Sequence, residues 1–283
     1  MEADRGPSET IHAYHADNEY VGHSMKEVFR RSRREYRERF INRSIASSET
    51  DALLLGHVVH AMAEGGNSFD SQYAVIPQCN RTTKAGKTIY ADFLDSLGSD
   101  YKGTTIPYKV HAQALAIIGS LLDSPLHKIL WGRDGVHEMT HRWVDPDTGL
   151  KRKCRFDKLV DNSLLIDLKT AAKPWPEAFA RNVTGLGYYR QAAWYLDGLR
   201  DLTGDEGDFV FLVLGTTPPY EVFAYQPDPG DLMIAYEQNA RSIRELASCY
   251  DSGKWSTPGA DSITVLTLPD WSRRDNPYEP DEE

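Results

Sequence analysis

The sequence predicts an α/β fold in which a central mixed β-sheet is flanked by helices and follows a helical N-terminal part. Three observations support this prediction. First, the middle of the chain changes from helical spacing to short β-rich segments separated by the turns PDTG and DNS. Second, helical patterns lie on both sides of these segments. Third, the apolar run DFVFLVL follows the next helix and is typical of a buried strand.

Size and composition indicate one globular domain with terminal extensions. The chain has 283 residues, of which 40% are hydrophobic and 11% aromatic, and this is enough for a buried core. We expect a mobile arm over residues 1–20, a single domain over 21–268 and an acidic tail over 269–283. Within the domain, residues 21–65 should form N-terminal helices and residues from about 70 to 250 the core.

Individual elements follow from apolar spacing and turn residues. Helices are predicted over residues 24–43, from Thr50 to about 64, and over 107–122, 185–201 and 230–250. Strands are predicted over Tyr73–Pro77, 136–144, 150–160, 164–169, Asp208–Leu214 and Tyr220–Tyr225. Residues 81–90 should form a basic loop that leads into another helix.

Cysteine content, charge and apolar run lengths exclude several classes of protein. Three widely spaced cysteines support neither a disulfide framework nor a zinc or iron–sulfur site. The polar N-terminus and the absence of long apolar runs argue against a secretory signal or a membrane span, so we expect a cytoplasmic protein. A net charge of −10 argues against a bulk nucleic-acid coat protein, but it leaves room for an enzyme with a local basic patch.

The strongest candidate site is formed by Asp157, Asp167 and Lys169. Asp167 and Lys169 are two residues apart on a predicted strand, so their side chains leave the same face. Asp157 lies on the preceding strand across the DNS turn, and hairpin pairing would bring it close to Asp167. Two converging carboxylates suit Mg²⁺ or Mn²⁺, and a neighbouring lysine can orient or deprotonate a water. The structural alternative is an Asp–Lys ion pair at a sheet edge.

Two helices carry further candidates. Gly56, His60 and Glu64 share one helix face, where His60 could be a metal ligand or a phosphate contact, or simply a histidine on a packed helix. Tyr188, Gln191 and Tyr195 form a stripe on a later helix. This stripe could position a phosphate or a base, or it could be a partly buried amphipathic face.

Basic segments are candidates for contacts with DNA phosphates. Residues 24–43 contain eight Lys or Arg against three Glu, and this is equally typical of a solvated amphipathic helix. The candidate cations are Arg30, Arg33, Arg34, Arg37, Lys84, Lys87, Lys153 and Arg155.

The segment 137–141, HEMTH, matches the HExxH signature of zinc peptidases. That signature requires a helix, which places both histidines on one face. Here the flanking residues and the PDTG turn predict a strand, on which His137 and His141 would lie about 13 Å apart at about 3.3 Å per residue. A zinc peptidase is therefore a remote alternative.

Five sequence blocks together resemble the RecE-type (exonuclease VIII-like) branch of the PD-(D/E)XK nuclease superfamily. The blocks are GHVVHAM, RTTKAGKTIYADF, HEMTHRWVDPDTGLKRKCRFDKL, LLIDLKT and YYRQAAWY, and the resemblance covers about residues 50–225. By position it implies that Asp157, Asp167, Lys169, Gln191 and Tyr195 are catalytic. It further implies metal ligation by Asp157, Asp167, His60 and Glu138.

The resemblance implies a Mg²⁺-dependent exodeoxyribonuclease, in which Mn²⁺ substitutes for Mg²⁺. Such an enzyme would digest linear double-stranded DNA from 5′ ends and leave 3′ single strands for recombination, as in phages and prophages. The implied partners are DNA ends, a RecT-like single-strand annealing protein and further copies of the chain in a ring-shaped homo-oligomer. The alternatives are a RecB- or Cas4-like single-strand nuclease and a non-catalytic DNA-binding protein on a nuclease fold.

Overall fold

A computed structural model describes residues 11–46, 50–66, 68–260 and 262–268 of the chain. Residues 1–10 of the predicted arm and the predicted tail over 269–283 lie outside these ranges. The α-helices are α1 (Ile11–Ala16), α2 (His23–Arg31), α3 (Arg33–Tyr36), α4 (Asp51–Glu64), α5 (Ser68–Gln72), α6 (Lys84–Leu97), α7 (Tyr108–Asp123), α8 (Pro176–Gly185), α9 (Tyr188–Thr203) and α10 (Pro229–Ser252). Single π-helical turns span Arg37–Ile41 and His127–Trp131.

The strands form a five-stranded mixed sheet and a small parallel pair. They are β1 (Tyr73–Ile76), β2 (Thr104–Pro107), β3 (Val136–Val144), β4 (Lys151–Val160), β5 (Leu164–Ala171), β6 (Asp208–Gly215) and β7 (Val222–Tyr225). The large sheet has the order β3-β4-β5-β6-β7, and only its β5–β6 pair is parallel. The predicted α/β fold with a central mixed sheet is confirmed.

The large sheet separates two helical layers. On one face, α2, α9 and α10 cover Leu165 and Phe211 of the sheet, while on the other α4 and α7 cover Leu168 and Leu212. The alternation along β5 explains this division, because successive side chains of a strand leave opposite faces. Asp167 has the same parity as Leu165, so it is directed to the layer that contains α9.

The predicted continuous helix over residues 24–43 is wrong in one respect, because it is broken at Ser32. This residue has extended backbone angles, φ −155° and ψ 111°, and its hydroxyl accepts a hydrogen bond from the Glu35 amide at 3.1 Å. Serine is a favoured N-cap, so its side chain ends α2 and starts α3.

The segment from Ile11 to Val21, most of which lies in the predicted arm, contains α1 and reaches the edge of β4. The ladder between β4 and β5 covers only residues 158–160 of β4, and Val21 pairs with the exposed edge of the first half of that strand. The Val21 amide donates to the Lys151 carbonyl at 2.8 Å, and the Lys153 amide donates to the Val21 carbonyl at 3.0 Å. This part of the chain therefore completes the edge of β4.

The predicted helix over 185–201 is in fact the second of two helices. The first is α8, and Pro176 occupies its first turn, where the missing proline amide costs nothing. Gly187 (φ 74°) then turns the chain into α9. Within the described residues, no helix is long and apolar enough to cross a membrane.

Candidate metal and active site

Three acidic residues lie side by side on three adjacent strands. Glu138 on β3 is opposite Asp157 on β4, because the pairs on either side of them are in register. Asp157 is in turn next to Asp167 on β5, one position beyond the last β4–β5 pair. The strand register thus produces the juxtaposition of Asp157 and Asp167 that the sequence predicts.

The strands β4 and β5 separate at this row, and the carboxylate of Asp157 takes the place of a backbone partner. Its Oδ2 accepts a hydrogen bond from the Leu168 amide at 2.8 Å. A buried amide without a partner would be costly, so this bond fixes the position of the Asp157 side chain.

Glu138 has an unusual backbone for a strand residue. Its φ is +53°, in the left-handed region that costs a non-glycine residue about 1 kcal/mol or more. Its side chain forms an ion pair with Arg155. Such strain in the middle of a strand is typical of functional sites, and here it turns a carboxylate towards Asp157.

His60 reaches the acidic row from α4. Gly56 lies one turn earlier on this helix, where an added Cβ would be only 3.3 Å from the Thr170 hydroxyl, so glycine permits the close approach to β5. The Nδ1 atom of His60 lies 3.7 Å from Asp157 Oδ2. One ligand atom each from His60, Glu138 and Asp157 lies within 4.8 Å of the others.

Asp167 belongs to an adjoining group. It forms an ion pair with Lys169 and accepts a hydrogen bond from Gln191 Nε2 at 3.2 Å. The Lys169 ammonium lies 4.8 Å from the centre of the Tyr188 ring. Tyr195 is hydrogen-bonded to Gln191 and packs edge-on against Phe156. The predicted site residues on β5 and α9 therefore meet, although Asp167 is held by Lys169 and Gln191 and stands outside the three-residue ligand group.

The electrostatics of the site favour protonated carboxyl groups. Burial raises the pKa of Asp167 to about 6, with a further increase from Asp157, although the Lys169 ammonium opposes the shift. Burial also raises the pKa of Asp157 and of Glu138. Burial alone would lower the pKa of Lys169, but the Asp167 and Asp157 carboxylates outweigh it and raise that pKa. The site is short of positive charge.

These residues fit a divalent cation. Carboxylate oxygens and an imidazole nitrogen converge within the distance that one ion can bridge, and buried like charges would be relieved by a cation between them. The donor set thus suits hard, oxygen-preferring metals.

The sequence analysis missed a buried ionic network beside the site. Glu27 on α2 binds Arg190 on α9 at 2.6 Å and Lys26 at 3.0 Å, and Lys26 also donates to Asn239 on α10. His23, one turn before Glu27, is largely buried, and its pKa is well below the usual value because of burial and the nearby cations, including Lys169. The sequence signal that could have predicted this network is the presence of charged residues on the inner face of α2.

The predicted phosphate contacts fall into two groups. Lys153 is buried, and its ammonium donates to the carbonyls of Tyr14 and Asp17, so it cannot be part of a basic surface. Arg155 pairs with Glu138, and Arg33 with Glu245 at 2.9 Å. The remaining five predicted cations are exposed: Arg30, Arg34, Arg37, Lys84 and Lys87.

The peptidase signature lies on a strand, as predicted. His137 packs against Trp131, and His141 Nε2 lies 2.8 Å from Asp201. Of the five residues of the signature, only Glu138, the second, belongs to the ligand group. The helix that a zinc peptidase requires is not formed here, so this alternative is wrong.

A strand row of carboxylates followed by a lysine, on a mixed sheet between helices, defines a nuclease-type core. The chain belongs to the family described as a PDDEXK-like domain of unknown function (DUF3799), whose model matches residues 13–264. No curated protein matches the chain.

Among solved structures, the chain is similar to a presumed exonuclease from Eubacterium rectale. The two share 18% sequence identity with a TM-score of 0.61, over 93% of this chain and 96% of the other. This similarity supports the fold. A second crystal structure, SSO0001, is 15% identical with a TM-score of 0.29, over 48% of this chain and 63% of that one, and carries no argument.

Proposed function

We propose that the protein is a metal-dependent exodeoxyribonuclease of the RecE type, which digests linear double-stranded DNA from 5′ to 3′ and leaves 3′ single strands. The observation that carries this proposal is the convergence of His60, Glu138 and Asp157 beside the Asp167–Lys169 pair. The match to a PDDEXK-like family supports the nuclease class. The choice of duplex ends and the polarity rest on the resemblance of the five sequence blocks.

His60, Glu138 and Asp157 would hold Mg²⁺ or Mn²⁺, with Asp167 next to them. When bound, the ion supplies an activated water and stabilises negative charge on the phosphate. The predicted role of Asp167 as a direct ligand requires it to exchange its contact with Lys169 for the ion.

Lys169 would act as a donor in the state described here. Its raised pKa keeps the ammonium protonated while Asp167 and Asp157 are charged. The ammonium can therefore orient a water or a phosphate oxygen, and the Tyr188 ring limits its position. Gln191 and Tyr195 would fix Asp167 and the strand being cut, because they approach from α9 on the same face of the sheet.

A basic cleft adjoins these residues. It has a volume of about 290 Å³ and lies between α2 and the turn joining α8 to α9. Its lining includes Arg30 and Arg31, together with Arg190 and its ion-pair partner Glu27, and Tyr188 follows the turn directly. With a net charge of −10, the chain needs such local cations to hold a polyanion.

The test uses linear duplexes labelled at either the 5′ or the 3′ end, with Mg²⁺ or with EDTA. The proposal predicts early release of the 5′ label, Mg²⁺ dependence and resistance of a closed circle. Digestion of single strands alone would favour the RecB-like alternative. Binding without cleavage would favour the non-catalytic one.

We extend the proposal to assembly and partners. A ring of subunits would enclose DNA, so weak contacts would suffice to keep the enzyme attached between cuts. The 3′ strands would be the substrate of a single-strand annealing protein of the RecT type. Light scattering on the purified chain tests the ring, and a single species of 31.9 kDa would contradict it.

A further inference from the structure

A short segment near the end of the described chain leaves its apolar side chains largely exposed. Residues 262–268 run without secondary structure, and four of their side chains are exposed: Ile263 by 105%, Val265 and Leu266 by 94% each and Leu268 by 62%. Contiguous apolar surface of this kind marks an interaction site more often than free surface.

The helix α7 has an apolar side that is also exposed. Tyr108, Leu115 and Leu122 recur every seven residues and are about half exposed, and Ile129 on the following turn is exposed as well. The opposite side of α7 packs against the sheet through Ala114, Ile117 and Leu121, among others. A helix that is apolar on both sides is normally covered on both.

The chain that leads to the segment and the helix α7 lie on opposite sides of the sheet. The chain leading to the segment is anchored beside α2, α3 and α10, where Trp255 stacks on Tyr36 at 5.9 Å and the Thr257 hydroxyl accepts from the Arg33 amide at 3.1 Å. The helix α7 belongs to the other layer. Contact between segment and helix therefore favours two different copies of the chain.

We propose that residues 262–268 of one copy dock on the exposed face of α7 of the next copy. This occupant covers both surfaces at once, whereas pairing of two α7 helices would leave the segment bare. Charge supports the same pairing. Residues 269–283 contain six acidic residues and two arginines, and residues 102–129 contain three lysines and one aspartate.

Gly119 makes room for the segment on α7. A Cβ added there would meet no atom within 4 Å, so the surface between Leu115 and Leu122 is open. Because donor and acceptor surfaces differ, the contact is head-to-tail, and repeated contacts of this type close into rings or extend as chains. The proposal does not depend on the nuclease activity.

The test combines two exposed-surface variants of the full chain. One carries Ile263→Asp and Leu266→Asp, and the other carries Leu115→Asp and Leu122→Asp. Light scattering should show an assembly for the wild type and a monomer of 31.9 kDa for each variant. Each variant should still unfold in a cooperative thermal transition, which shows that it is folded. A matched control, Thr264→Asp with Thr267→Asp, should retain the assembly because it removes no apolar side chain.

Mixing the two monomeric variants gives the decisive result. One intact segment then meets one intact α7 face, so a complex of twice the chain mass should form. A monomeric wild type, an assembly that survives the segment variant, or a mixture that stays monomeric would each overturn the proposal. Neither measurement uses DNA cleavage, so failure here is distinct from failure of the proposed nuclease activity, although a monomeric wild type would contradict the proposed ring as well.

Discussion

The charged side chains at the two ends of strand β4 are arranged differently. Near its start, Arg152 is buried and paired with Asp145 at 3.2 Å and with Asp197 at 3.0 Å. Near its end, Asp157 lies between two further carboxylates, Glu138 and Asp167. The first end pairs its buried cation directly with two carboxylates, and we call it the matched end. The second end brings three carboxylates together beside only two cations among the described residues, Arg155 and Lys169, and we call it the unmatched end.

This difference separates charges that are paired within the fold from charges that a bound cation would balance. Removal of one partner of a buried ion pair leaves the other charge unpaired, and this destabilises the fold. Unmatched carboxylates destabilise the folded chain, so their presence needs a reason outside the fold, such as a cation. Substitutions at the two ends should therefore act on different properties.

The largest expected effect is on cleavage, at the unmatched end. Asp157→Asn should lower the cleavage rate by about 100-fold or more, because it removes a charged ligand while keeping an acceptor for the Leu168 amide. The melting temperature should be unchanged or higher. An end-labelled duplex assay and thermal unfolding measure both. The exposed turn residue Asp147 supplies the control, and Asp147→Asn should cut normally.

Replacement of the neighbouring cation should separate binding from chemistry. Lys169→Met should also cut poorly, by about 100-fold, because no ammonium remains to orient the water or the phosphate. It should still bind Mn²⁺ in calorimetric titration, since the ligand group of His60, Glu138 and Asp157 remains. Loss of metal binding in this variant would show that its role is misassigned.

Substitutions at the matched end should lower the free energy of unfolding the most. Arg152→Met should lower the free energy of unfolding by about 3–5 kcal/mol, because Asp145 and Asp197 lose their counter-ion. Urea denaturation measures this loss. The adjacent, more exposed Lys151 provides the comparison, and Lys151→Met should have little effect. Equal effects of both substitutions would contradict the distinction between the two ends.

The unmatched end should also make the free energy of unfolding depend on pH. The pKa of Asp167 is about 6 in the folded chain and ordinarily 3.8. Between these values the unfolded carboxyl has lost its proton while the folded one keeps it, so the free energy of unfolding falls as pH rises. In EDTA, the free energy of unfolding of the wild type should fall between pH 4 and 6 by about 1–3 kcal/mol more than that of Asp167→Asn. Parallel wild-type and variant curves would contradict the raised pKa.

The smallest expected effect concerns exposed cations. Arg34→Gln with Arg37→Gln should weaken duplex binding and reduce the slope of log affinity against log salt by about 2, if each contacts one phosphate. The melting temperature should not change. Fluorescence anisotropy at several salt concentrations measures the slope. Arg241→Gln, an exposed cation paired with Glu245, serves as the control.

Local spacing was enough to predict that Asp157, Asp167 and Lys169 lie close together. The turn between β4 and β5 fixes the position of Asp157 relative to Asp167, and the two-residue period of a strand places Lys169 on the same face. The mixed sheet and the helices around it follow from similar local patterns. These features depend on residues that are close together in the sequence.

Long-range partners could not be predicted in this way. Lys153 and Arg30 look alike in the sequence, but Lys153 is buried because the distant Tyr14 and Asp17 carbonyls bind its ammonium. The left-handed backbone of Glu138 has no sequence signal either. Such features depend on tertiary packing, which overrides local preference.

The most direct test is calorimetric titration of Mn²⁺ into the wild-type chain and into Asp157→Asn at neutral pH. The convergence of His60, Glu138 and Asp157 predicts binding by the wild type that is lost, or weakened at least about tenfold, in the variant. Unchanged affinity in Asp157→Asn would contradict the assignment of this carboxylate row as the metal centre.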